Sequence, residues 1–460
     1  MLRIRSLSVL LLVLLAACQS NPEQLHNTLF ETYRQNAIQN LETRLTPSWG
    51  LSLPATAPDA GLAVHSVEEL QRLALQVSPY VASILIDLGI HEAESVQRRL
   101  ASNPQLAMSL MRPEDGGRWQ FEVSLSLGLL DWLGRQRRLA LADAEHQQWQ
   151  IQAMQQLGAE FYELQNLWLD AQIAHNKASI FNDMLESSNV SAEFSRLLFE
   201  AGNISELDLL ASQSVADQRQ AQAQQAALEA TQALLALKAR LGLQPQQEIK
   251  LPEQLPQAIA RTPLSDEQSG RLLSSAQQHF PALLLADARY QQSQAALALA
   301  VRQQQLRDAG VAIGTERESN GEREYGVGLS LALPVFDSGY TRLSRLQGEV
   351  LKSEQAQRQQ AHTLQAEVAT AVARFNTSIE RLQLLEQTEM PRLREMMALG
   401  VREYNFMLRG TFELLSIADL ILDARLRQLS SQQQYWQSLM QLEYLAGQPV
   451  SRLLTPQENS

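Results

Sequence analysis

The sequence predicts a mainly helical chain with a transmembrane β portion, built from a duplicated unit of β-hairpin plus long helices. Two observations carry this. Alternating strands at Trp119-Gln-Phe121-Glu-Val123-Ser-Leu125-Ser-Leu127-Gly-Leu129 and at Tyr325-Gly-Val327-Gly-Leu329-Ser-Leu331-Ala-Leu333 recur about 205 residues apart. Odd positions are large and apolar, even ones polar or small, so a period of two separates them onto opposite faces. More than 60 helix-patterned residues then follow each strand. A membrane β-barrel mounted on a helical tube satisfies both patterns.

The N-terminus reads as a processing signal over residues 1–17. Arg3 and Arg5 precede an apolar run, Leu7 to Leu15, too short to span a bilayer. It ends in Leu15-Ala16-Ala17-Cys18, which resembles a bacterial lipobox. Cleavage before Cys18 and lipid attachment to it are expected, with two or three acyl chains giving a firm anchor. Gln19 in place of an inner-membrane retention Asp implies outer-membrane sorting. Cys18 is the only cysteine in 460 residues, so no disulfide forms within the chain. Residues 18–64, with Pro47, Pro54 and Pro58, read as a lipidated N-terminal arm.

The first repeat is expected over 65–242. Ser66-Val-Glu-Glu69 opens it as a capping box, and Ser78-Pro79 forms a step. A hairpin at about 105–130 turns through 112–117, and a helical hairpin fills 135–242 with Gly242 as C-cap. The linker 243–264 carries Pro245, Pro252, Pro256 and Pro263. The second repeat, 265–447, repeats these parts: Ser265-Asp-Glu-Gln268, Phe280-Pro281, a hairpin at about 309–334, a helical hairpin at 340–446 and Gly447. In it, the pattern over 340–404 predicts one long uninterrupted helix. Residues 448–460 form a tail.

Four strands cannot close a barrel, and an open sheet in lipid leaves two unsatisfied edges. Three copies would give a trimeric 12-stranded β-barrel on an α-helical barrel. Trp119, Phe121, Val123, Tyr325, Val327 and Leu329 would face outer-membrane lipid, with Gly326, Gly328, Ser330 and Ala332 lining the lumen. A soluble β-sandwich needs more strands than the chain offers. No later segment has 18 consecutive apolar residues. A net charge of −12 argues against nucleic acid as a partner.

The duplicated unit behind a lipobox resembles the TolC-like outer-membrane efflux factors over roughly residues 66–450. Leu129-Leu-Asp131-Trp-Leu-Gly134-Arg135 and Leu331-Ala-Leu-Pro334-Val-Phe336-Asp337-Ser-Gly339 look like that family's two strand-to-helix junctions. The resemblance implies a homotrimer whose helical barrel crosses the periplasm. It further implies a passive exit duct without enzymatic activity, served by a periplasmic adaptor (a membrane fusion protein). The pump it implies is an inner-membrane transporter of the resistance-nodulation-division type. The run from Glu316 to Phe336 looks like the heavy-metal-efflux branch; drug or protein cargo stays open.

Two helix breaks look like the family's periplasmic tips. Phe199 and Tyr404 each precede, by nine residues, an acid followed by Leu-Leu, namely Asp208 and Glu413. The resemblance puts Asp208, Tyr404 and Arg409 among the contacts of a periplasmic gate, and Glu413 in a ring of acids narrowing the pore. Gly202, Met407 and Gly410 are the tip-turn residues, with Met407 standing where the family usually has Gly. The bland reading is a solvated helical hairpin with ordinary i,i+4 pairs.

Arginines also gather at the inner ends of the strands: Arg98 and Arg99, Arg135 and Arg137, Arg302 and Arg307, Arg342 and Arg345. Inner-leaflet phosphate contact and ordinary helix-surface charge both account for them. The seven histidines lack metal-ligand spacing, and no nucleophile elbow, P-loop or dinucleotide fingerprint occurs. Met396, Met397 and Met407 fit helix packing better than soft-metal handling. No cofactor and no metal is expected. The rival to a duct is a periplasmic adaptor or structural tether with long helical hairpins; it lacks four membrane-length strands.

Overall fold

The computed structural model describes residues 64–450, apart from 102, 113, 115–118, 129–133, 253–254, 256–261, 306–309, 319–321, 331–337 and 407. The signal segment, Cys18, nearly all of the arm, Met407 and most of both junction motifs lie outside the described residues. Chain order is α1 (Val67–Val77), α2 (Pro79–Arg99), β1 (Gln105–Met111), β2 (Gln120–Gly128), α3 (Arg135–Glu200) and α4 (Glu206–Leu241). The second half repeats it: α5 (Asp266–His279), α6 (Pro281–Gln305), β3 (Gly310–Arg317), β4 (Arg323–Ser330), α7 (Tyr340–Leu384), a π-helical turn (Leu385–Glu389), α8 (Met390–Asn405) and α9 (Thr411–Ala446).

Local chemistry sets the boundaries. The Ser265 hydroxyl accepts from the Gln268 N–H, and the Gln268 side chain accepts from the Ser265 N–H at 2.9 Å, a closed capping box. In the first repeat the box is displaced by one residue. Ser66 caps Glu69, but the Glu69 carboxylate accepts from the His65 N–H at 2.7 Å. Pro79 and Pro281 begin α2 and α6, where a missing N–H costs nothing. Helices α1 and α2 meet at a 62° bend. Gly242 and Gly447 end α4 and α9 in the left-handed conformation, at φ 75° and 67°. A Cβ on Gly242 would also lie 2.5 Å from Pro79 Cδ, so the cap and the helix crossing both demand glycine.

Helix α3 runs unbroken for 66 residues, roughly 100 Å at ~1.5 Å per residue. The matching helix of the second repeat is not continuous α-helix. Pro391 has no N–H, and its ring crowds the carbonyl four residues back. The chain widens there into the π turn, where the Met390 N–H donates to Leu385 O. Pro391 was visible in the sequence; the periodicity on either side masked its effect.

Three clusters of buried side chains hold the helices together. In the first repeat Leu70, Val81, Leu85, Leu157, Leu164, Trp168, Leu237 and Leu241 join α1 to α4. In the second, Leu272, Leu364, Phe375, Tyr435, Leu442 and Leu445 join α5, α7 and α9. Leu169, Ile173, Leu429 and Met440 link α3 to α9, tying the repeats to each other. A buried ion pair supports the first cluster. Arg240 Nε donates to Glu160 Oε1 at 2.7 Å, and its guanidinium lies 4.1 Å from the Tyr80 ring centroid. No single described helix is long and apolar enough to cross a membrane; α1 and α2 together reach that by length and composition only.

Candidate functional site

The four strands form one antiparallel sheet in the order β1-β2-β3-β4, with the seam between repeats at β2–β3. Register sorts their side chains by face. Leu106 pairs with Leu125, Leu125 with Ile313 and Ile313 with Val327. Above that row Met108, Val123, Thr315 and Tyr325 align, and below it Leu127, Val311 and Leu329. Partners across a ladder share a face, so these rows, Thr315 apart, make this side apolar up to the row of Arg317 and Arg323. It is also open: Tyr325 and Val327 are each 80 % exposed. Trp119 lies one residue before β2 instead of within it, exposed, with the Arg112 guanidinium 5.6 Å from its ring centroid.

The opposite face is small and polar. Ser124, Gly314 and Gly326 align on it, as do Ser126, Ala312 and Gly328. A Cβ on Gly314 would stand 3.3 Å from the Val123 carbonyl, so this face is kept thin. Toward the hairpin turns it carries carboxylates: Glu122 pairs with Glu316, and Glu316 with Glu324. Ser109 completes the row, its hydroxyl donating to Glu122 Oε2 at 3.0 Å. Sequence alternation predicted the faces; this row needed the register. Among the described residues the outer strands β1 and β4 have no second strand beside them.

At the other end of the helices the two tips differ. Gly202 takes the left-handed conformation at φ 75°, and the Asn203 N–H donates to Leu198 O at 2.8 Å. Ser205 then caps α4. The Ser205 N–H and hydroxyl both donate to Asp208 Oδ2, at 3.2 and 2.7 Å, while the Asp208 N–H donates to Ser205 Oγ. Those bonds hold the Asp208 carboxyl below the usual carboxylate range. At the second tip the capping position is Gly410, which is extended (φ −83°, ψ 161°) and not left-handed. It offers no side-chain oxygen, so Glu413, three residues on, is not drawn into a box. Instead Arg409 Nε donates to Glu403 at 2.7 Å and stands 4.0 Å from Glu413. The Leu408 N–H donates to Glu403 O at 2.9 Å.

Among the described residues Asp208 and Arg409 therefore do not pair within one chain. Tyr404 is 41 % exposed near the end of α8. Sequence reading missed Glu403, the closest partner of Arg409, and Ser205, although Ser205-x-x-Asp208 has capping-box spacing. Ser205→Ala should cost α4 about 1 kcal/mol and speed amide exchange at Asp208; unchanged exchange would rule the cap out. The Asp208 contribution has a defined sign. A depressed carboxyl stabilises the fold above its unfolded value, near 3.8, and that stabilisation is lost as pH falls through the lower folded value.

Three of the eight arginines at the inner strand ends have carboxylate partners, and Arg307 lies outside the described residues. Arg98 pairs with Glu145 and Glu94, Arg99 with Asp143, and Arg345 with Glu349, while Arg342 donates to Gln303. No group of three or more His, Cys, Asp or Glu suited to a metal occurs among the described residues.

The described residues thus form an amphipathic four-stranded sheet carried on helices far longer than a globular core requires. The family described as outer membrane efflux protein matches residues 272–448. Among solved structures the fold is shared with the outer-membrane channel OprN. The TM-score there is 0.65 at 18 % identity, covering 87 % of this chain and 99 % of that one. It is shared with the outer membrane protein VceC of Vibrio cholerae (TM-score 0.67, 14 % identity, 84 % and 96 % covered). CusC is similar too (TM-score 0.61, 17 % identity, 86 % and 98 % covered). No curated protein matches the chain. Residues 272–448 are thus similar to the outer membrane efflux protein family, and the chain shares the fold of these outer-membrane channels.

Proposed function

We propose that this chain is the outer-membrane exit duct of a tripartite efflux system. The observation that carries the reading is the exposed apolar face of the sheet, continuous from Leu106 to Leu329 across all four strands. Water is a poor solvent for such a surface, and lipid is a good one. The unpaired edges of β1 and β4 complete the argument, because hydrocarbon does not satisfy free N–H and C=O groups. Three copies joined edge to edge give twelve strands, a homotrimer with the small-residue face around a lumen. Each copy brings Glu122, Glu316 and Glu324, so nine carboxylates ring the distal mouth and favour cations there. The helices reach into the periplasm, and acyl chains on Cys18 hold the N-terminal arm to the inner leaflet.

The tips support a docked partner. Leu207, Phe406 and Leu408 are 75 %, 71 % and 78 % exposed there. A periplasmic adaptor linking the duct to a resistance-nodulation-division transporter fits that surface. Passage needs no catalysis by this chain. Cargo is a small molecule or metal ion delivered by the pump. A tether would also use long helical hairpins, but it has no use for an oily sheet face.

Arg409, with Glu403 and Glu413, forms the proposed gate together with Tyr404 and, from the first tip, Asp208. Single-channel conductance in planar bilayers tests both levels of the reading. Wild type is expected to conduct weakly, and Arg409→Ala to conduct severalfold more. Equal conductance would discard the gate and keep the duct. A folded, membrane-extracted protein that never conducts would favour the tether.

A further inference from the structure

We infer that the distal rim of the apolar sheet face binds the phosphate groups of outer-leaflet glycolipid through Arg317 and Arg323, with Arg112 beside them. This rests on the duct reading, which puts that rim at the outer surface of the membrane. The register makes Arg317 and Arg323 direct cross-strand partners, both on the lipid side by parity with Ile313 and Val327. Like charges directly opposed on a sheet destabilise it unless something anionic lies between them. Among the described strand residues this face supplies no such group. The acids of these strands, Glu122, Glu316 and Glu324, all point to the other side.

Among the described residues neither arginine makes an ion pair, nor does Arg112. The contrast with Arg98 and Arg99, at the inner end, is direct, since both are neutralised by carboxylates of the same chain. Phe121 stands level with them as the partner of Arg317, Trp119 lies just beyond it toward the turn, and Tyr325 is one step beneath; below that the face carries only apolar side chains and Thr315. Aromatic residues mark the headgroup boundary, so the guanidinium groups stand at phosphate level. Guanidinium matches phosphate bidentately, and the outer leaflet of this kind of membrane is a phosphorylated glycolipid. Closure of the barrel would bring the edge strand β1, and with it Arg112, alongside β4 of the next copy.

The test uses the full-length protein in detergent micelles, titrated with bisphosphorylated lipid A and followed by native mass spectrometry. Arg317→Ala/Arg323→Ala should bind about thirtyfold more weakly than wild type, from ~1 kcal/mol for each basic side chain at a charged lipid surface. Arg98→Ala/Arg99→Ala should bind as wild type does. Equal binding by the rim variant would overturn the proposal, as would equal binding of dephosphorylated lipid A. Displacement of the lipid by millimolar inorganic phosphate would overturn the lipid assignment. Conductance read in parallel separates the two levels of inference. A rim variant that conducts normally but has lost lipid supports this site. Absence of wild-type conductance sinks the duct itself, and with it the membrane face this site needs.

Discussion

Val327→Arg is expected to abolish stable membrane insertion, while Gly326→Arg, one position away, is expected to preserve it. Val327 stands mid-strand on the apolar face, opposite Ile313 and in line with Leu125 and Leu106. An arginine on the lipid face near the bilayer midplane costs a β-barrel ~2–4 kcal/mol, and a trimer carries the change three times. Gly326 faces the other way, and a Cβ added there meets nothing within 4 Å. The comparison belongs in a background without the lipid anchor, Cys18→Ser behind a nonlipoprotein signal. Resistance to urea extraction and a heat-stable oligomer are the readouts. If both variants resist extraction equally, the assignment of faces is wrong. If Gly326→Arg inserts but conducts less, the small-residue face lines the pore.

Arg240→Ala is expected to be strongly destabilising. Glu160 is 5 % exposed, and Arg240 is its partner across α3 and α4. Removing one member of such a pair leaves a buried charge uncompensated, at about 3 kcal/mol, the low end for buried pairs because Arg240 is itself partly exposed. The loss of Arg240 also removes its stacking on Tyr80. Urea unfolding of the detergent-solubilised protein measures the effect. Glu160→Leu/Arg240→Met should recover most of the loss, since a well-packed apolar pair replaces a buried ionic one at little cost. A loss below about 1 kcal/mol in Arg240→Ala would mean that water reaches Glu160.

Much of this architecture was legible because long helices and alternating strands are local signals. Period two in 119–129 and 325–333 located the strands and their faces, although the last strand begins two residues earlier, at Arg323, and Gly242 and Gly447 marked helix ends from chemistry that needs no tertiary context. The illegible parts depend on what lies across the fold. That Arg317 sits opposite Arg323, and Glu122 opposite Glu316, follows from register, which no single strand contains. For Arg98 and Arg99 the sequence left phosphate contact and ordinary surface charge open; Glu145 and Asp143 of another helix now pair with them. At the tips the acids were found but their duties were not. Ser205 binds Asp208 to its own helix, while Gly410 leaves Glu413 near Arg409. The widened turn before Pro391 was missed because a π segment keeps a helix's outward pattern while altering its bonding.

The β2–β3 seam has a consequence for how the molecule is made. Phe121 pairs with Arg317, and Gly128 with Gly310, across nearly the length of one repeat. Pairings so distant in sequence are slow to find by chain diffusion, because the connecting loop loses its freedom before any contact rewards it. Here the search is shortened by helices. Packing of α6 against α3 brings the start of β3 toward the end of β2. A helical body formed first would serve as the template on which the sheet is assembled, with the sheet last. Such an order would keep the oily face from forming until both repeats have folded and would limit the time it spends in water.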